Sequence, residues 1–220
     1  MPQQTPLQAV IVPVTSFAQN CSVVWCTETG KGAVIDPGGD LERIEQAIET
    51  HHPVIEKILI THGHFDHAGG AAELAERLGV PIEGPGADDG FLIDAITERG
   101  DDFGVPNCRP FTPSRWLTDG DTVTVGAQTF DVRHCPGHTP GHVVFFHQPS
   151  QLAFVGDVLF AGSIGRTDFP RGDHPTLIRS ITTRLWPMGD DVTFVPGHGP
   201  VSTFGQERRT NPFVADHVLA

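Results

Sequence analysis

The segment EKILI (56–60) is a short apolar strand that runs without a spacer into THGHFDHAGG (61–70). Three histidines and an aspartate, His62, His64, Asp66 and His67, fall there within six positions. Histidine is scarce, and such crowding does not serve packing. The same construction recurs three more times, each a β-rich run stopping at a glycine-framed His or Asp. QTFDVRHC (128–135) leads into PGH with His138, LAFVGD (152–157) ends on Asp157, and VTFVPGHG (192–199) carries His198. Small neighbours let the backbone turn sharply and bring a side chain close to its target. The polar motifs therefore sit where strands end, which suits chemistry carried by loops on a rigid scaffold.

The remaining pattern supplies that scaffold. AVIVPV (9–14), SVVWC (22–26) and GAVID (32–36) read as strands bounded by Gly, Pro, Asn or Ser. DLERIEQAIETHH (40–52) predicts a helix with Asp40 as N-cap and an apolar stripe of Leu41, Ile44, Ala47 and Ile48. AGGAAELAERLGV (68–80) predicts a second helix stopped by Gly79. DTVTV (121–125) and HVVFFH (142–147) add strands, and HPTLIRSITTRLW (174–186) a further helix. Residues 85–115 are loop-like, with a helical stretch in ADDGFLIDAITERG. Both halves run from strands into helices, which implies an α/β fold of αββα type: two facing mixed sheets with helices outside. No repeat or linker interrupts the chain, so residues 1–220 are expected to form one domain.

The candidate ligands are His62, His64, Asp66, His67, His138, Asp157 and His198. Five imidazoles and two carboxylates exceed the roughly four ligands of one zinc. They suit two divalent ions about 3.5–4 Å apart. His62 and His64, at i and i+2 in an extended segment, point the same way and can grip one ion. Asp66 and His67 lie where the chain turns into a helix and can face the other. Asp157 has two oxygens, and bridging is its natural role. Zinc is the expected metal, with iron and manganese also compatible with His and carboxylate donors. The other seven histidines are read as surface or packing residues.

Composition narrows the function classes. The formal net charge is −13, which argues against a nucleic-acid partner. No run approaches the 18 or so apolar residues of a membrane span. The N-terminus, MPQQTPLQAV, has neither a basic region nor an apolar one, so no secretory signal is expected. Cys21, Cys26, Cys108 and Cys135 form no CxxC pair and read as buried small hydrophobes in a reducing cytoplasm.

THGHFDH, PGHTPGH, VGD and PGHG resemble the metal motifs of the metallo-β-lactamase superfamily, in that family's order, across residues 61–199. The resemblance implies the same αββα sandwich. It also implies one ion held by His62, His64 and His138, a second by Asp66, His67 and His198, and Asp157 bridging them. Asp157 sets the chain apart from class B β-lactamases, which lack a bridging aspartate there. VLFAGSIGRTDFPRGD (158–173) is similar to the short bacterial type II glyoxalases, the hydroxyacylglutathione hydrolases. That implies a thioester substrate derived from glutathione, split to a 2-hydroxy acid and a thiol. Those enzymes use a tyrosine in the substrate loop, whereas this chain has none.

The expected catalytic residues are Asp66 and Asp157. Two ions sharing a water lower its pKa towards neutrality and make it a nucleophile for the thioester carbonyl. Thiols have a pKa of about 8.5, so the leaving group needs no dedicated acid. Arg166, Asp168 and Arg171 are the substrate-binding candidates, because arginine forks onto carboxylates and carbonyls. The alternative is a persulfide dioxygenase of the same superfamily, with one iron held by His62, His138 and Asp157.

Overall fold

The computed structural model describes residues 5–219. Its first sheet contains β1 (Leu7–Val14), β2 (Gln19–Cys26), β3 (Lys31–Ile35), β4 (Val54–Leu59) and β5 (Ile82–Glu83), in that order. Its first two pairings are antiparallel and its last two parallel. The second sheet contains β6 (Thr122–Val125), β7 (Gln128–His134), β8 (Val143–His147), β9 (Leu152–Gly156), β12 (Thr193–Pro196) and β13 (Ser202–Thr203). Its order is β13-β12-β9-β8-β7-β6, and only the β9–β12 pairing is parallel. A hairpin of β10 (Leu159–Phe160) and β11 (Ser163–Ile164) stands apart.

Strand alternation explains how these sheets stack. In β8, Val143 and Phe145 join Val24, Ile35 and Leu59 of the first sheet in an inter-sheet core. Val144 and Phe146, on the opposite face, pack with Leu177, Ile181 and Phe204. Leu177 belongs to α6 (His174–Ser180) and Phe204 to α7 (Phe204–Thr210). On the outer face of the first sheet, Val23, Val34 and Ile58 meet Ile44 of α1 (Leu41–His51) and Leu74 of α3 (Ala71–Leu78). The result is helix, sheet, sheet, helix, as expected. Burying a side chain of this size contributes about 1.5–3 kcal/mol. A one-residue slip would turn Phe145 towards the helices and expose its inner position, so the pattern holds the register.

Three expectations need correction. Asp40 is not a side-chain cap: its φ is 47°, and its carboxylate instead accepts the Thr15 N–H at 2.8 Å. The segment 68–80 is not one helix. Asp66 and His67 lie on a separate short helix, α2 (Phe65–Ala68), and α3 starts only after Gly69 and Gly70. The break lets the backbone of Gly70 donate to the Pro37 carbonyl at 2.9 Å. The helix expected over 174–186 is regular only to Ser180 and widens into a π-turn at Ile181–Leu185, followed by Pro187.

Residues 85–115 hold α4 (Gly90–Asp94) and α5 (Ile96–Asp102). The short α8 (Asp216–Leu219) follows α7. All four cysteines are buried and unpaired. Burial pushes the Cys135 thiol up to about 12, so its position near His138 gives it no reactivity. Among the described residues, no helix is long and apolar enough to cross a membrane.

Candidate metal centre

The ends of β4 in the first sheet and of β7, β9 and β12 in the second meet at one edge of the sandwich. Beyond β4 the chain bends at Thr61, is extended at His64, then coils into α2, which carries Asp66 and His67. His138 follows β7 through Pro136 and Gly137, Asp157 follows Gly156 at the end of β9, and His198 follows Gly197 after β12. All seven candidate ligands converge there.

Two trios form. One ring nitrogen each of His62, His64 and His138 lie within 4.8 Å of one another, and so do the donor atoms of Asp66, His67 and His198. Asp157 stands between them. Its Oδ1 is 3.2 Å from His67 Nε2, and its Oδ2 is 3.6 Å from His138 Nε2 and 3.8 Å from His198 Nε2. Two glycines permit this crowding. Gly156 has φ +48°, and a Cβ there would lie 2.6 Å from Thr61 Oγ1. A Cβ on Gly197 would lie 2.0 Å from Asp157 Oδ1.

The donor set fits divalent ions on three counts. First, the imidazoles are oriented. His67 Nδ1 is 2.9 Å from Asp36 Oδ2, His138 Nδ1 2.7 Å from the Arg166 carbonyl, and His198 Nδ1 3.1 Å from the Phe17 carbonyl. Each Nδ1–H donates outward, which leaves the Nε2 lone pair for the site. Second, buried His62 Nε2 has no hydrogen-bond partner among the described residues, and His67 Nε2 and Asp157 Oδ1 have only each other, at 3.2 Å. An unpartnered buried atom costs about 1–3 kcal/mol unless something satisfies it. His64 Nδ1 and His138 Nε2 are 3.0 Å apart, close to the edge of about 3.3 Å that zinc–nitrogen bonds of about 2.0–2.1 Å imply for a tetrahedron.

Third, the protonation states of His62, His64, His138, Asp66 and Asp157 suit ligands, whereas carboxylate neighbours raise His67 and His198. Burial, reinforced by the neighbouring imidazoles, pushes His62 well below its ordinary value. Burial and His138 bring His64 down to about 3. Burial would raise Asp157, but His67, His138 and His198 hold it below the usual carboxylate range. Burial likewise works against Asp66, and His67 and His198 outweigh it. Burial would lower His67, but Asp157, Asp66 and Asp36 together raise it, so an ion must displace that proton.

Three contributors escaped the sequence reading. Asp36, at the end of β3, accepts from Thr61 N at 2.7 Å and Thr61 Oγ1 at 2.6 Å as well as from His67. His142, read as a packing residue, accepts the Asp157 backbone N–H at 3.1 Å and stacks on His62 with centroids 4.6 Å apart. Asp89, from the stretch ADDGFLIDAITERG that read as helical, accepts from Gly63 N, Thr139 Oγ1 and Gly141 N. The repeated PGH and PGHG contexts were visible. A lone Asp after GAVI or GPGAD carries no comparable local signal.

The consequence for Asp36 is testable. In Asp36→Asn the amide N–H2 faces His67 Nδ1–H, so the ring must turn its lone pair outward and protonate Nε2. Metal affinity at the Asp66–His67–His198 trio is expected to fall about 10–100-fold, read by chelator competition, while the first trio keeps its ion. Two tightly held ions in this variant would show that Asp36 does not set the tautomer.

The centre opens into a cleft of about 540 Å³, within the range of small-molecule sites. Of the three substrate-binding candidates, only Arg166 lines it. Its guanidinium is already forked onto Asp168 at 3.0 and 2.8 Å and lies 4.5 Å over the Phe169 ring. Asp168 is thus occupied as its partner. Arg171 lies outside the cleft wall, 4.2 Å over the Phe91 ring.

Comparison with known proteins identifies relatives of the whole chain. A family model described as the metallo-beta-lactamase superfamily matches residues 14–198. The chain is 48% identical to hydroxyacylglutathione hydrolase GloC of Haemophilus influenzae over 93% of its own length and 96% of that protein. It is 36% identical to TTHA1623, solved in a di-iron-bound form, with TM-score 0.84 over 93% of this chain and all of that one. It is 32% identical to the BLEG-1 B3 metallo-beta-lactamase, with TM-score 0.86 over 94% and 99% of the two chains. A match across most of the chain, together with the strand-end His and Asp centre, makes this protein a member of the metallo-β-lactamase superfamily.

Proposed function

We propose that this chain is a metal-dependent hydrolase of hydroxyacyl thioesters, with S-D-lactoylglutathione or a close analogue as substrate. The observation that carries the reading is the pair of trios on either side of Asp157. The identity of 48% with a hydroxyacylglutathione hydrolase supports the thioester in preference to a lactam, since the β-lactamase relative stands at 32%. His62, His64 and His138 would hold one divalent ion, and Asp66, His67 and His198 the other, with Asp157 shared. Zinc is the expected metal, and iron or manganese suits the same donors. When bound, the ions supply a Lewis acid for the carbonyl and a water of lowered pKa.

The protein's own groups do the rest. Asp66 is part-buried at the cleft surface, with Oδ2 3.2 Å from His198 Nε2. As an ionised carboxylate it accepts a hydrogen bond from the attacking water and so orients it. The water gives one proton up to solvent as its oxygen adds to the carbonyl carbon. The C–S bond breaks, sulfur leaves as thiolate, and the acid so formed releases the remaining proton to become a carboxylate. A thiol of pKa about 8.5 needs no acid for this step, and the cleft offers none beyond the ligand candidates. The Phe169 ring, held under Arg166, and the other rings of the cleft exclude bulk water from the carbonyl. Arg166 also contributes through its carbonyl, which orients His138. Asp168 holds the Arg166 guanidinium in place.

A single iron on His62, His138 and Asp157, as a persulfide dioxygenase would use, leaves Asp66, His67 and His198 gathered for no purpose. The test runs both activities on one purified sample with its metal counted. Loss of S-D-lactoylglutathione with close to two ions per chain is the expected result. Oxygen consumption on glutathione persulfide with one iron would overturn the reading.

A further inference from the structure

The cleft is built around aromatic rings, most of which lie outside the core clusters; Phe65 also packs against the core of the first sheet. Six of the fourteen phenylalanines line it: Phe17, Phe65, Phe91, Phe103, Phe160 and Phe169. None is fully buried, and Phe17 and Phe103 are 39% and 53% exposed. So much apolar surface in one concavity marks a place where an apolar group binds.

The rings divide into two ends. Phe17, Phe65 and Phe103 pack on one another, with centroid separations of 5.5, 6.1 and 5.2 Å. This end adjoins His198, whose Nδ1 donates to the Phe17 carbonyl. Phe169 occupies the other end, 5.0 Å from the His64 ring. The cations are distributed unequally. Arg99, near Phe103 on α5, is paired with Asp102 at 3.6 Å, and Arg166 with Asp168. Arg171, over Phe91, has no carboxylate partner among the described residues.

We propose that the Phe17–Phe65–Phe103 end receives the acyl substituent, and that this chain acts best on 2-hydroxyacyl thioesters bearing an aryl or branched alkyl group. The inference rests on the thioesterase reading above, and extends it to the substrate class. The carbonyl is fixed at the metal centre, so the two halves of the substrate leave it towards opposite ends. The thiol half of a glutathione thioester carries carboxylates at its far ends, and beyond the cleft wall Arg171 is the cation free to meet one. The acyl half is left with three rings and no free charge. A methyl substituent touches little of that wall, whereas a phenyl ring stacks offset or edge-on against it.

The test compares D-mandeloyl- and D-lactoylglutathione as substrates of the zinc-loaded protein. It also measures binding of S-benzylglutathione and S-methylglutathione by calorimetry. The aryl member of each pair is expected to be favoured by at least about tenfold in kcat/KM or Kd. Phe103→Ala is expected to shrink both ratios at least about fivefold. Phe103 is half exposed, so the fold should tolerate its loss, and Phe17→Ala provides a second variant. Wild-type ratios near one, or ratios preserved in both variants, would overturn the proposal. No turnover of either thioester, with a benzyl preference that the variants abolish, would support the aromatic wall and overturn the thioesterase reading. Full lactoyl turnover with equal binding of the two thioethers would do the reverse.

Discussion

Asp157→Ala is expected to abolish thioester hydrolysis, a loss of more than about a thousandfold, and to leave fewer than two ions per chain. The carboxylate faces both trios, with Oδ1 towards His67 and Oδ2 towards His138 and His198. Without it, each trio loses its fourth protein donor, and the imidazoles lose the negative charge that balances an ion. The fold should survive. Val155 and Val158 on either side are buried in the second sheet's outer core, whereas the Asp157 side chain lines the cleft. His67 also loses the partner that does most to raise its pKa, but it keeps Asp36 at 2.9 Å, so no unpaired buried cation is left behind. Turnover and metal content measured on the same sample decide the matter, with circular dichroism to establish folding. Near-normal hydrolysis with two ions bound would remove Asp157 from the centre.

How much of this could be read before the fold was known depended on where each residue's partners lie in the chain. THGHFDH was legible because four candidate ligands stand together, and His138, Asp157 and His198 because Gly and Pro frame each at a strand end. The sandwich was legible because strands buried on both faces leave continuous apolar runs such as VVFF in β8. Asp36, Asp89 and His142 were not. Each acts on a loop between 15 and 31 residues or more away, and a buried carboxylate has the same local sequence whether it caps a turn or orients a ligand. The Asp40 cap failed for a related reason: Thr15, 25 residues away, competes for the carboxylate that a local rule assigns to the helix. The aromatic cleft was hidden because its rings come from segments scattered between residues 17 and 169.

Asp89→Asn is the second substitution expected to act strongly, although Asp89 touches no ligand. It is fully buried, and its two oxygens tie together the loops that carry the first trio. Oδ2 accepts from Gly63 N at 2.9 Å, between His62 and His64, and from Thr139 Oγ1 at 2.8 Å, next to His138. Oδ1 accepts from Gly141 N at 2.6 Å. An asparagine keeps one oxygen and sets an N–H2 against a donor on the other side. The unmade hydrogen bond should destabilise the protein by about 1–3 kcal/mol. Loosening of His138 relative to His62 and His64 should weaken metal binding at the first trio about 10–100-fold.

The pH dependence separates this from general damage. Burial pushes the Asp89 carboxyl up to about 6, against the three donors that favour its charge. The folded state therefore holds the proton more tightly than the unfolded chain, where the value is 3.8. Its contribution to stability is complete below that unfolded value and disappears as pH rises through the folded one. Asparagine does not titrate, so the Asp89 proton enters the stability of the wild type alone. The stability deficit of Asp89→Asn, measured by urea unfolding of the metal-free proteins, should thus be larger at pH 5 than at pH 7.5, by on the order of 1 kcal/mol. A deficit that is flat or grows with pH would mean that the three donors keep Asp89 ionised at both pH values. Unchanged zinc affinity at the first trio would mean that Gly63 and Thr139 are held in place by the surrounding backbone without it.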